Sequence, residues 1–241
     1  MAGMRQGETM IAVEGLSKSF VLHNRGGVRL DVLTGIDFSV CASECVALDG
    51  PSGSGKSTLM RLLYANYRPT AGAVRVRHAG RMIDIATADP LTLRGVRRET
   101  VGHVSQFLRA IPRVSAIDVV AAPLLDRGED PAAARRRAAT LLKRLRIPQA
   151  LWELPPATFS GGEQQRVNVA RGFAAGWPIL LLDEPTASLD AANRDEVVAL
   201  IIEARAAGAA IVGIFHDEAV RAAVADRLFP VGALRTSGVA A

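Results

Sequence analysis

Cysteine is almost missing from this 241-residue sequence. The only two, Cys41 and Cys45, are spaced four apart, which excludes a Cys-X-X-Cys zinc or redox motif, and a single pair makes no disulfide framework. Both are expected as buried structural thiols in a reducing cytoplasm. Long apolar runs are missing too. Stretches such as residues 197–214 are interrupted by Glu203 and Arg205, short of the roughly 18–20 uncharged residues that span a bilayer. Neither end shows a secretory signal pattern, which completes the expectation of a soluble, cytoplasmic protein with no membrane span. What is present, 49% hydrophobic and 22% charged residues, suits one large globular domain or a domain with an insertion. The net charge is +5, with arginine concentrated between residues 94 and 146. That surplus is compatible with an acidic protein face, anionic lipid or nucleic acid, and selects none of them.

Strand and helix signals alternate along most of the chain. β-Branched or apolar runs at residues 11–13, 36–40 and 45–48 read as strands, and the third leads into a glycine-rich loop and a helical segment over residues 57–66. Strand, loop and helix in that order open a parallel α/β sheet. Residues 179–182 and 210–215 are near-continuous apolar runs, as strands covered on both faces require. The alternation breaks between Gln106 and Ser160. There Asp130 is placed to cap a helix, Pro131 to take its first position, and Ala134, Ala138, Leu141, Leu142 and Leu145 to form one apolar stripe, which predicts a helical insertion of about 50 residues. The predicted division is a single domain: an α/β core over residues 10–106 and 165–230, the insertion over 107–164, and loose tails at 1–9 and 231–241. Residues 24–30, NRGGVRL, are expected at a surface hairpin tip.

The glycine loop, GPSGSGKST over residues 50–58, matches GxxxxGK[ST] in full. Gly50, Gly53 and Gly55 let successive backbone amides point inward around a phosphate, Ser52, Ser54 and Thr58 complete the cradle, and the following helix adds its positive end. A chance glycine turn would lack the strand before it and the helix after it. Lys56 is expected to reach the β and γ phosphates and the Ser57 hydroxyl to ligate Mg²⁺, so the loop binds a nucleoside triphosphate. The run ILLLDE, residues 179–184, then ends in two carboxylates, Asp183 to hold Mg²⁺ through its hydration shell and Glu184 to polarise the attacking water. Acidic residues often merely end a strand, and it is the glycine loop that gives these two a role. His216 follows another apolar strand and is expected to contact the γ phosphate rather than to sit as a core histidine.

A second glycine turn, FSGGEQQRVNVARGF from Phe159, also precedes a helix. Within one chain it is surplus, because the nucleotide is already cradled, but it is useful to a second chain. The succession GPSGSGKST, FSGGEQQR, ILLLDEP, Ser188-Leu189-Asp190 and His216 resembles the ATP-binding cassette (ABC) ATPases over nearly the whole chain. That resemblance implies an α/β P-loop fold with a mixed or parallel sheet and a helical signature subdomain, ATP and Mg²⁺ as cofactors, and two cassettes facing head to tail. The signature turn of each would cap the γ phosphate bound by the other. Ser160, Gly161, Gly162 and Glu163 match that signature, and Phe159 and Glu163 depart from its commonest form, LSGGQ. Gln106, in VSQF, matches the Q-loop glutamine that senses the γ phosphate and joins Ser57 and Asp183 at the metal. Residues 187–190, ending in Asp190, match the D-loop that crosses the dimer, and Phe20, in SKSF, matches the aromatic that stacks on adenine. Glu184 is then the general base, with Gln106 and His216 beside it.

What the ATP cycle drives depends on a partner. A DNA-repair or chromosome-organising cassette would suit the basic charge, but it needs a long coiled-coil or zinc-bearing insertion, for which residues 107–159 are too few. No nucleic-acid partner is expected. Outside the motifs, FVLHNRGGVRLDVL, LYANYRPTAG, VSQFLRAIPRVSA, PLLDRG and GAAIVGIFHDEAVR together resemble the ABC-type subunit of the phosphonate carbon–phosphorus lyase system, its L component. This implies a cytoplasmic cassette that pairs with itself or with the companion K-type cassette and works with the lyase core complex. The alternative is the ATPase subunit of a lipoprotein-releasing or efflux-type membrane transporter. Phe107, Leu108, Ile111 and Pro112, flanked by Arg109 and Arg113, read as an exposed interface patch under either. No motif offers a second substrate pocket beyond the nucleotide site.

Overall fold

The computed structural model describes residues 7–22, 27–108 and 112–232. Strands β1 (Thr9–Leu22), β2 (Val28–Cys41) and β3 (Cys45–Asp49) come first, followed by helix α1 (Lys56–Leu63), β4 (Ala71–His78), β5 (Arg81–Asp84), α2 (Pro90–Glu99) and β6 (Val101–Val104). The helical stretch holds α3 (Ala116–Asp126), α4 (Pro131–Arg144) and α5 (Gly161–Phe173). β7 (Ile179–Asp183), α6 (Ala191–Ala206), β8 (Ala210–Ile214), α7 (Glu218–Val224) and β9 (Arg227–Pro230) complete the chain. β6, β7, β8, β3 and β9 lie side by side in that order, each neighbouring pair parallel. β2, β1, β4 and β5 form a separate antiparallel sheet.

Because successive side chains of a strand point to opposite faces, the all-apolar strands feed two cores at once. Cys45, Ala47, Leu180, Leu182 and Ile211 face a core shared with α3, α4, α5 and α6. Val46, Leu48, Ile179, Leu181 and Val212 face a second core, closed by α1 and the antiparallel sheet through residues such as Leu59, Leu62, Val13 and Val74. Each fully buried leucine contributes roughly 2 kcal/mol of apolar burial, so these short strands are held from both sides.

The insertion folds as its pattern predicts at the start of α4, where the Asp130 side chain accepts from the Ala133 amide at 2.8 Å, and Ala134, Ala138, Leu142 and Leu145 are buried. Leu141 is only half-buried. The Arg144 guanidinium ties α4 to α6, pairing with Glu196 and, through two bonds of 2.6 Å, with Glu203. Among the described residues no helix is long and apolar enough to cross a membrane.

Several expectations need correction. The first helix stops at Leu63 rather than running to residue 66, because Ala65 takes a φ of 56° that no α-helix accommodates. Val231 is no loose tail: it is buried, and its amide donates to the Asp49 carbonyl at 2.7 Å. Glu8, placed in the lead-in, accepts from the Ala42 amide and pairs with Arg77 at 3.2 Å. Cys45 is buried, its thiol pushed up to about 12 by that burial, but Cys41, at the end of an edge strand, is half-exposed. Of the predicted hairpin tip, residues 24–26 lie outside the described residues, and Val28 already begins β2.

Candidate active site

Four neighbouring parallel strands end at one edge of the sheet, where ligands of open α/β sheets bind. β3 delivers the glycine loop, β7 delivers Asp183 and Glu184, β8 leads to His216, and β6 leads to Ser105 and Gln106. A cleft of about 260 Å³ opens there. Ser52, Gly53, Gly55, Lys56, Ser57 and Thr58 line one side, Glu184, Ile214 and His216 another. Gly50 and Ser54 are not on its walls. Ser54 is 2% exposed, and a Cβ on Gly50 would meet its Oγ at 2.9 Å, so these two pack beneath the loop. Gly55 is required for closeness as well as for its φ of 100°: a Cβ there would lie 2.8 Å from Leu33 Cδ2 and 3.1 Å from the Val32 carbonyl oxygen. Lys56 Nζ donates to the Gly50 and Pro51 carbonyls at 2.6 and 2.9 Å, which holds the ammonium over the loop.

Glu184 stands at the centre of the polar side. Its carboxylate accepts from Gln106 Nε2 at 3.4 Å and lies 2.8 Å from His216 Nε2. Its backbone has a φ of 53°, a left-handed conformation costing on the order of 1–3 kcal/mol in a residue with a side chain. Such strain recurs at functional sites because surrounding contacts must hold it. Asp183 Oδ1 is buried with no hydrogen-bond partner among the described residues. Burial, and then the neighbouring Glu184, push its carboxyl above the usual carboxylate range. An unpaired buried carboxylate oxygen calls for a cation, so the donor set of Asp183, Ser57 and Gln106 fits Mg²⁺.

Not every predicted residue meets this cleft. Phe20 is absent from its walls: the ring packs edge-on against Tyr67 at 5.4 Å between centroids, with Lys18 Nζ 4.8 Å above it. The apolar wall is instead made by Leu30 and Val32 of β2. Their period of two in VRLDVL puts them on one face, and that was the available signal. Ser160, Gly161 and Gly162 also lie off these walls, at the start of α5. Ser160 is the N-cap and shares a capping box with Glu163, whose carboxylate accepts from the Ser160 amide at 2.9 Å and hydroxyl at 2.7 Å. Those bonds hold the Glu163 carboxyl below its usual range and explain a carboxylate where the commonest signature has an amide. The first-turn amides of Gly161 and Gly162 have no intrahelical acceptors. Asp190 caps α6, accepting from the Asn193 amide at 2.8 Å. Phe107 is 74% exposed, whereas Leu108 packs partly against the core, and residues 109–111 lie outside the described residues.

A second, larger cavity of about 710 Å³ lies away from the nucleotide cleft. It lies on the seam between α2 and β6 on one side and α3 and α5 on the other. Arg94, Arg97, Arg98 and Arg171 line it against a single acid, Asp126, together with Tyr64 and Trp177. Elements distant in sequence build it, so no local motif announces it. Arg127 spans the seam, its guanidinium 4.2 Å from the Trp177 ring and bonded to the Arg98 and Glu99 carbonyls at 2.8 and 3.0 Å.

Comparison with known proteins agrees with this geometry. The family profile described as "ABC transporter" matches residues 33–187. The macrolide export ATP-binding/permease protein MacB of Sodalis glossinidius is 40% identical over 211 residues, covering 88% of this chain and 31% of the relative. The pyoverdine export ATP-binding/permease protein PvdT of Pseudomonas entomophila is 42% identical over 209 residues, 86% of this chain and 31% of the relative. The chain thus spans about a third of the length of these curated relatives. Among solved structures, the ATP-binding cassette MJ0796, in a dimeric post-hydrolysis state bound to ADP and Pi, superposes with a TM-score of 0.83 at 28% identity, covering 92% of this chain and 94% of that one. The dimeric MJ0796 cassette gives the same score over 94% and 97%. Fold, site geometry and sequence together make this chain a member of the ABC transporter family, an ABC-type ATPase cassette.

Proposed function

We propose that this cassette, a single domain with its α/β core over residues 10–106 and 165–230 and its helical insertion between them, works as one of two that close head to tail on ATP, hydrolyse it at Glu184 and reopen, passing the motion to a partner. The observation that carries the reading is the placement of Glu184 beside His216 and Gln106 at the glycine-loop cleft, while Ser160, Gly161 and Gly162 lie off that cleft's walls. The unpaired first-turn amides of α5 would then be offered to a neighbour's γ phosphate, and residues 187–190 would cross to the partner cassette. Glu184 takes the proton of the attacking water, and His216 and Gln106 hold its carboxylate in place. Mg²⁺, when bound, neutralises charge on the β and γ phosphates, and Ser57 and Asp183, with Gln106 beside them, are the residues that would hold it. Phe20, directly opposite the cleft residue Leu30 in the strand pair, is proposed to stack on the adenine. A Glu184→Gln chain should form a dimer on adding Mg²⁺ and ATP, read by light scattering, and a chain that stays monomeric at saturating ATP would defeat this reading.

For the machine being driven, the comparisons favour an export-type transporter over a lyase, since MacB and PvdT are both named as export ATP-binding/permease proteins. The cassette would then work at the cytoplasmic face of a permease. The carbon–phosphorus lyase reading rests on the resemblance of stretches outside the motifs, and the comparisons do not support it. Two of the stretches that carry the resemblance, LYANYRPTAG and PLLDRG, meet in the structure, supplying Tyr64, Pro123 and Asp126 to the arginine-lined cavity. That cavity is equally open to an acidic segment of either partner. The two readings separate on growth. Cells lacking this chain that cannot use a phosphonate as sole phosphorus source, and a tagged chain that recovers lyase subunits, would establish the second. Normal growth on phosphonate and recovery of a membrane permease would establish the first.

A further inference from the structure

Two buried side-chain amides tie the signature helix to the hydrolytic loops of the same chain. Gln165 and Asn168, one turn apart on α5, are 5% and 1% exposed. Gln165 Nε2 donates to the Glu184 and Pro185 carbonyls, each at 3.2 Å. Asn168 Nδ2 donates to the Ser105 carbonyl at 2.5 Å and to Gln165 Oε1 at 3.4 Å. The N–H groups of both amides are thereby engaged, and the backbone they hold belongs to the two loops that carry Glu184 and Gln106. At such depth an amide is kept only where its bonds are made, and a side chain with packing as its sole task would be apolar.

The need for this hold is visible in the Glu184 backbone. At a φ of 53° the residue stays only where neighbours fix it, and its amide is fixed by the Ile214 carbonyl at 3.1 Å. Gln165 fixes the other side of the same residue, its carbonyl. The helix that carries Gln165 begins at Ser160, and the capping box with Glu163 makes that first turn continuous with the rest. A displacement of Ser160, Gly161 and Gly162 is therefore transmitted along a stiff helix to an amide already bonded to Glu184.

We propose that Gln165 and Asn168 are positioning residues that convert the seating of Ser160, Gly161 and Gly162 on a neighbour's nucleotide into alignment of Glu184 and Gln106 over the chain's own nucleotide. The proposal deepens the head-to-tail reading above and rests on it. Communication between the two nucleotide sites then runs through α5, and losing it affects turnover and cooperativity rather than nucleotide capture.

The test uses the full chain with Mg²⁺ and ATP. Gln165→Met keeps the side-chain length and removes both donated bonds, and Asn168→Ala frees Ser105. For Gln165→Met we expect kcat to fall roughly tenfold or more with KM within about threefold of wild type, because the contact matters after binding. The Hill coefficient for ATP should fall from near two toward about one. Asn168→Ala should show the same split with a several-fold loss of kcat, and it decides the matter should Gln165→Met fail to fold by circular dichroism. Variants that lose thermal stability yet keep kcat and the Hill coefficient overturn the proposal, since a packing role alone predicts that outcome. A wild-type chain that dimerises with ATP while both variants turn over normally overturns the proposal alone. A wild-type chain that never dimerises and follows a hyperbolic ATP curve overturns the head-to-tail reading and this proposal with it.

Discussion

Gly172→Ala should lower the stability of this cassette, although an alanine in a helix interior ordinarily raises it. Gly172 lies in the last turn of α5, where exchanging glycine for alanine is worth about 1 kcal/mol in favour of the helix. A Cβ at this position, however, would stand 2.2 Å from Val104 Cγ2 and 3.5 Å from Val104 Cβ. Val104 is fully buried in β6, and a β-branched side chain has few alternative rotamers, so it cannot swing clear. Overpacking of this kind costs typically about 1–3 kcal/mol, which leaves a net loss of roughly 1 kcal/mol. For a chain of this size that corresponds to a fall in Tm of about 2–4 °C. Val104→Ala alone leaves a cavity and should cost about 2 kcal/mol, whereas the double variant places the new methyl where the valine was, so it should be more stable than the sum of the singles by at least about 0.5 kcal/mol. Differential scanning calorimetry on the two singles and the double completes the cycle. A Tm that rises in Gly172→Ala, or a double variant whose loss equals the sum of the singles, would refute the claim that α5 and β6 meet at this glycine.

The site supports four further expectations. Lys56→Ala should abolish tight Mg²⁺-dependent ATP binding, measured by equilibrium dialysis, since it removes the cation held over the loop. Glu184→Gln should keep binding and slow hydrolysis roughly 10²-fold or more, and a normal phosphate-release rate would show that another group is the base. Ser160→Glu should leave ATP binding by its own glycine loop intact but remove ATP-dependent dimerisation and turnover, because a carboxylate replaces hydroxyl and helix end before a phosphate; unchanged ATPase activity would contradict a signature that acts across the interface. Asp183→Asn should raise Tm at neutral pH while abolishing Mg²⁺-dependent hydrolysis. The sign follows from a carboxyl whose pKa is raised in the folded chain, chiefly by burial: its ionised form is disfavoured there, so the cost is present above that pKa and vanishes as pH falls through it. The Tm advantage should accordingly close in acid, and one that persists unchanged would refute the burial argument.

The readable parts of this protein are those in which function uses a contiguous stretch of backbone. Residues 50–58 declare a phosphate cradle because glycine, lysine and serine must follow one another around it, and β7 declares itself because burial on both faces leaves four aliphatic residues before Asp183. Both stretches lie at the same edge of one parallel sheet, on β3 and β7, with β8 between them rather than side by side. Phe20 is legible only by its place in a motif, and its ring packs edge-on against Tyr67 with Lys18 above it. The residues that form the apolar wall, Leu30 and Val32, lie on the neighbouring strand, with Leu30 directly opposite Phe20 in the antiparallel pair, so the wall is assembled across two strands that no single motif spans. Gln165 and Asn168 escaped notice for a related reason, because a polar residue inside a helix reads as solvent-facing until its partners on other loops are known.

The arginine-lined cavity marks the limit of local reading, yet the sequence does carry a trace of it. Glycine inside a regular element weakens it by about 1 kcal/mol, so an interior glycine that is retained points to something close by. Gly102 in β6 and Gly172 in α5 are two such positions, and both line the cavity. A Cβ at Gly102 would lie 2.2 Å from the Trp177 ring, as one at Gly172 would from Val104. The missing side chains let the indole and α5 close onto the sheet edge, and Arg127 then reaches across to cover the ring. The seam between core and insertion is therefore built from what two residues lack, and a search for charged motifs alone passes over it.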